Sequence, residues 1–93
     1  MWGKIMKGDI IKAKKKPIII EAIQYLREEN ICRVQNFVGE SLIFDVDAND
    51  YRVKTLEGTS YLLKENDWII KGVKNEFYPC KPDIFEQTYE EIK

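Results

Sequence analysis

Apolar residues change their spacing several times along this chain, and each change marks an element. From Lys16 to Tyr25 β-branched residues dominate after Pro17, which suits the first residue of a strand because no ladder hydrogen bond is lost there. Asn30 then stands where a helix N-cap is needed, its side-chain oxygen able to accept from an unpaired N–H of the first turn. Ile31, Val34, Phe37 and Val38 follow at helical spacing, and Gly39 can adopt the left-handed stop.

From Ser41 the period shortens to that of strands. Leu42-Ile43-Phe44 reads as one, followed by an acidic loop over Asp45–Asp50. Tyr51–Leu56 and Thr59–Leu63 flank Glu57-Gly58, where glycine supplies the positive φ of a tight hairpin. Trp68–Val73 and Glu76–Cys80 flank Lys74-Asn75, and asparagine tolerates the left-handed region. A two-residue loop there pairs Lys71 with Tyr78 and Ile70 with Pro79. Alternation then puts Trp68, Ile70, Phe77 and Pro79 on a core face, and Ile69, Lys71, Val73, Glu76, Tyr78 and Cys80 on a contact face. Pro82 opens a last helix with Asp83 in its first turn and an apolar stripe of Ile84, Phe85, Thr88, Tyr89 and Ile92. The expectation is a small α+β domain over residues 16–93: an antiparallel sheet of about five short strands, one helix after the first strand and one at the C-terminus.

Composition narrows the function classes. The 93 residues suit one domain, with 44% hydrophobic and 12% aromatic residues. Net charge is −1, unlike a dedicated nucleic-acid binder. The charge is uneven. Residues 1–16 hold six lysines and one aspartate, net +5, which leaves −6 on the remainder. Residues 1–15 read as a basic arm, either a solubilising, poorly ordered terminus or a segment steering towards phosphates. Trp2 within it is either disordered or an interface anchor, and Met6 is a candidate internal start. The longest apolar run, Ile18–Ile20, is far too short to span a membrane, and no secretory leader pattern is present, so the expected location is the cytoplasm. Two cysteines, Cys32 and Cys80, read as buried reduced thiols.

Catalytic chemistry finds little support. With no histidine there is no Ser-His or Cys-His pair, and the commonest general base is missing. Asp45, Asp47 and Asp50 lack the central glycine and closing glutamate of a calcium loop and read as a solvated turn. Two cysteines without histidine make no zinc site, and Gly58 and Gly72 stand alone, without a phosphate loop. No cofactor or metal is expected. The remaining candidate is a ligand site at the second hairpin, with Lys71, Tyr78, Lys81, Trp68 and Glu76 near the start of the last helix. Two ammonium groups beside an aromatic suit a nucleotide or phosphorylated small molecule. A solvated hairpin face, with Trp68 in the core, is the alternative.

The stretch Asp67-Trp-Ile-Ile-Lys-Gly-Val-Lys-Asn-Glu-Phe-Tyr-Pro-Cys-Lys-Pro-Asp-Ile-Phe-Glu-Gln-Thr-Tyr-Glu-Glu resembles the C-terminal signature of a family of small proteins encoded by many bacteriophages and prophages. Lys16-Pro-Ile-Ile-Ile-Glu-Ala-Ile-Gln-Tyr and Thr55-Leu-Glu-Gly are similar to that family's opening strand and first hairpin, so the resemblance covers most of residues 14–92. Glu65-Asn66-Asp67 replaces an expected Pro-Gly-Asp turn, and Asn75 stands where glycine is expected. The resemblance implies a phage-encoded, non-enzymatic protein of counter-defence. In this reading it is a sponge, a homodimer or higher homo-oligomer, that traps a cyclic nucleotide, an anionic small molecule, between protomers. Two other readings stay open: an inhibitor whose acidic body docks a basic patch on a host enzyme, and an accessory protein tethered to nucleic acid by its lysine-rich arm.

Overall fold

A computed structural model describes Lys12 and residues 18–92. The basic arm, Trp2 and the Pro17 strand start lie outside the described residues, Lys12 aside. Six strands form two antiparallel sheets, accompanied by two α-helices, an α+β architecture. The elements in chain order are β1 (Glu21–Gln24), α1 (Ile31–Val38), β2 (Leu42–Asp45), β3 (Asp50–Lys54), β4 (Ser60–Leu62), β5 (Trp68–Lys71), β6 (Phe77–Cys80) and α2 (Pro82–Thr88). The first sheet has the order β1-β5-β6 and the second β2-β3-β4. The expected single sheet of about five strands is therefore two sheets of three.

The main core fills the space between the sheets and α1. Val34 and Val38 from α1 meet Val53 of the second sheet, Leu63 just past β4, and Ile69 and Phe77 of the first sheet, all buried. Phe37 meets Phe77 edge-on, with ring centroids 5.7 Å apart. Since Val34 and Val38 point inward, Cys32 falls on the exposed side of α1. It is not the buried thiol expected, while Cys80 is half-buried and both are free. Asn30 does precede α1, but its side chain makes no cap. It clips the β1–α1 connection instead, accepting from the Leu26 N–H at 3.0 Å and donating to the Gln24 carbonyl at 2.7 Å.

The β5–β6 register differs from the expected one by one residue. Trp68 faces Cys80, Ile69 faces Pro79, Ile70 faces Tyr78 and Lys71 faces Phe77. The cause is the loop. Gly72 donates to the Glu76 carbonyl at 2.8 Å, and the Asn75 N–H returns to the Gly72 carbonyl at 3.1 Å, so three residues make the turn. Asn75 takes φ 63° at the third of them, the left-handed position of a three-residue hairpin. A slip of one residue moves every β6 side chain to the other face. Ile69, Lys71, Phe77 and Pro79 now share the face towards the main core. Ala22, Gln24, Trp68, Ile70, Tyr78 and Cys80 share the other.

That second face is also covered. Phe85 of α2 stacks on Trp68 with centroids 4.0 Å apart and planes 6° from parallel. Ile69 and Ile70, neighbours on opposite faces, are 0% and 1% exposed, so the sheet is buried on both sides at its centre.

Candidate functional site

The predicted site residues divide between the two faces of the first sheet. Trp68, Tyr78 and Glu76 lie on the α2 side, Lys71 lies on the main-core side beside Phe77, and Lys81 is the exposed residue that precedes α2. Lys71 and Tyr78 are therefore not neighbours on one face, because the three-residue loop sets the register. Glu76 folds back over its own turn, its Oε1 accepting from the Lys74 N–H at 2.9 Å. Trp68 is half-buried with one face taken by Phe85, which leaves that side of the ring closed to a ligand base.

α2 has only seven residues, too few to stand as an isolated helix, so its position is set by packing. Pro82 at its first position begins it, and Phe85 and Tyr89 anchor it, their rings stacked 5.1 Å apart. Two depressions open beside Tyr89. The smaller, about 300 Å³, is walled by Tyr78, Glu76, Gly72 and Val73. The larger, about 710 Å³, runs between the 18–24 segment and the residues from Phe85 to Ile92, over the flank of Trp68. Among the described residues its only charged lining groups are Glu86, Glu90 and Glu91, all exposed. The rest of the wall is aliphatic and aromatic, apart from Gln24 and the Tyr89 hydroxyl.

Of the side chains in this groove, Phe85 and Tyr89 were visible in the sequence as the apolar stripe of the last helix. Glu86, Glu90 and Glu91 carried no signal of their own, because carboxylates on a terminal helix ordinarily read as solvated. Compared with known protein families, with curated proteins and with solved structures, the chain matches none.

Tyr78 reports on how tightly α2 is held. Burial, with the neighbouring Tyr89 phenol next in importance, pushes its phenol up to about 12. An unfolded phenol ionises near about 10, so the folded state favours the neutral form. The resulting stability is fully present below that pH and is lost as pH rises towards 12. Ultraviolet titration of the tyrosines is expected to lose its component near pH 12 in Tyr78→Phe. An unchanged alkaline end of the curve would contradict this packing.

A second polar cluster is built around Asp50. Asp50, buried at the start of β3, accepts from the Tyr25 hydroxyl, from Arg27 Nη1 at 2.7 Å and from its neighbour's N–H at 2.9 Å. Arg27 also reaches Glu65 at 3.5 Å. Burial, with the Asp50 carboxylate next, holds the Tyr25 phenol well above its usual range. Asp50 is thus not part of a solvated turn as expected. Asp45 remains nearer the surface, where Arg52 at 2.6 Å and then the Ala48 N–H hold its carboxyl below the usual range. No group of three or more potential metal ligands occurs among the described residues. Among them, no buried side-chain nitrogen or oxygen is left without a partner, so the Asp50 cluster reads as a tie between the sheets.

Proposed function

We propose that this chain is a non-enzymatic binding protein that docks a basic, apolar segment of a partner protein in the groove beside α2. One observation carries the reading: an aromatic-walled groove of about 710 Å³ whose only charged lining residues, among those described, are carboxylates. Buried aromatic surface supplies contact area, and the carboxylates attract cationic groups while repelling phosphates. Residues 17–93 carry the same sign, −6 in total. The absence of histidine supports binding over catalysis. The likeness of residues 67–91 to small phage proteins supports a phage origin and a host protein as the target.

The cyclic-nucleotide reading places Lys71, Tyr78 and Lys81 together beside the start of α2, with Tyr78 or Trp68 stacking on a base. With Lys71 and Tyr78 on opposite faces of the sheet, the Lys71–Tyr78 pair gives that reading no support. Calorimetric titration of the full chain with three probes tests the choice: a short peptide alternating lysine and valine, its glutamate–valine counterpart, and a cyclic dinucleotide. The basic peptide alone is expected to bind, more weakly as salt rises. Joint Glu86→Lys and Glu90→Lys replacement is expected to remove most of that binding. Binding of the dinucleotide with the basic peptide silent would sink the docking reading and restore the sponge.

A further inference from the structure

The groove has a second feature that determines how an occupant would lie in it. Its floor on one side is β1, an edge strand of the first sheet. Tyr25 donates to the Asp67 carbonyl at 2.7 Å, and its own carbonyl accepts from Asn66 at 2.7 Å. The antiparallel register then turns the backbone groups of Ile23 and Glu21 towards β5 and those of Ala22 and Gln24 outward. Outward groups alternate along a strand, so Ala22 presents both N–H and C=O at the edge, and Gln24 presents its N–H. The Gln24 carbonyl is already taken by Asn30, which closes the edge at that end. Among the described residues, no backbone group pairs with Ala22 from the outer side.

The opposite edge of the same sheet is different. In β6 the outward positions are Phe77 and Pro79, since Gly72, Ile70 and Trp68 fix the pairing of Glu76, Tyr78 and Cys80 with β5. Pro79 has no N–H to offer, the usual device for blunting an edge. One edge of the sheet thus carries a proline that offers no N–H, while the other, among the described residues, lies open along an apolar groove with a carboxylate rim.

We infer that the partner segment binds as an added strand on the outer edge of β1, extended, with lysine or arginine alternating with apolar residues. This rests on the docking function proposed above and specifies its mode. Backbone bonds to Ala22 and Gln24 supply register, as in other strand additions, and alternate side chains supply specificity. In such a strand the side chains on the α2 side are all of one kind, here the basic ones, whose aliphatic stems lie over Trp68 and Phe85. Their charged ends reach Glu86 and Glu90 at the rim, and the apolar residues line the other face of the added strand. A helical occupant would cover the same aromatics but leave the Ala22 backbone groups desolvated and unpaired, which is costly.

Two N-methylated versions of the lysine–valine peptide separate these cases, one methylated on odd residues and one on even residues. Only one set of alternate N–H groups can face β1. One isomer is expected to bind like the parent and the other to lose about tenfold or more in affinity. Hydrogen exchange at the Ala22 and Gln24 amides is expected to slow when the parent peptide binds. Equal affinity of the two isomers, with those amides unprotected, overturns strand addition and leaves side-chain docking in place. A parent peptide that does not bind at all overturns strand addition together with the docking function. Protection of both amides in the free full-length chain would assign the edge to this chain's own residues or to a second copy, and would likewise overturn it.

Discussion

Asp50→Ala is expected to lower the unfolding free energy by about 2–4 kcal/mol, because it strips the tie between the two sheets of its acceptor. The Tyr25 hydroxyl, on a residue only 2% exposed at the end of β1, would then have no partner and no route to water. Leaving a buried donor unmet costs more than the bond itself contributes. Arg27 matters less. Its side chain is 45% exposed, so water can take its place beside Asp50, and Arg27→Ala is expected to cost about 1 kcal/mol or less. Tyr25→Phe removes donor and demand together and should fall between, near about 1–2 kcal/mol. Urea denaturation of the three variants gives the ranking, and the Tyr25→Phe/Asp50→Ala double variant measures the coupling. Additive losses, or an Asp50→Ala midpoint close to that of the parent, would mean that the sheets are held by apolar packing alone.

That tie was hidden in the sequence because its members are distant. Asp50 sits among Asp45, Asp47 and Asn49, a composition that reads as a solvated turn, while Tyr25 lies 25 residues earlier. The order of elements, by contrast, was legible, since each boundary has a local cause. Gly39 at φ 65° ends α1, Gly58 at φ 89° turns the β3–β4 hairpin, and Pro82 opens α2. The β5–β6 register failed for two reasons. Val73-Lys74-Asn75 fits a two-residue or a three-residue loop, and only the left-handed Asn75 at the third position selects the latter. Alternation offered no correction, because Ile69 and Ile70 are both buried and either face could pass as the core. The same one-residue difference decides the site, since only the two-residue loop would join Lys71 and Tyr78 on one face. The groove is not legible in the sequence because its walls come from both ends of the described chain, and no local pattern brings Ile18–Ile20 beside Phe85–Ile92.

Phe85→Ala is expected to detach α2 while leaving the main core intact, and so to separate binding from folding. The helix is seven residues long, contributes no fully buried residue, and meets the sheet chiefly through the Phe85 ring lying flat on Trp68. Truncating a packed aromatic costs roughly 3–5 kcal/mol when the site is fully buried. Phe85 is half-buried, so about 2–3 kcal/mol is the fitting figure. Because a helix this short has no stability of its own, much of that loss should appear locally as fraying of residues 82–92. Hydrogen exchange is expected to speed up over α2 and at Ile70, whose cover it provides, while Val34, Val53 and Ile69 amides stay protected. Near-ultraviolet circular dichroism should lose the signal of the stacked indole. Basic-peptide binding should vanish with the groove wall, although Glu86 and Glu90 are still present. Retained binding in this variant would show that the carboxylates act without the groove, as a diffuse acidic surface. Global unfolding would show instead that α2 belongs to the main core, which its exposure and its separate contact with Trp68 argue against.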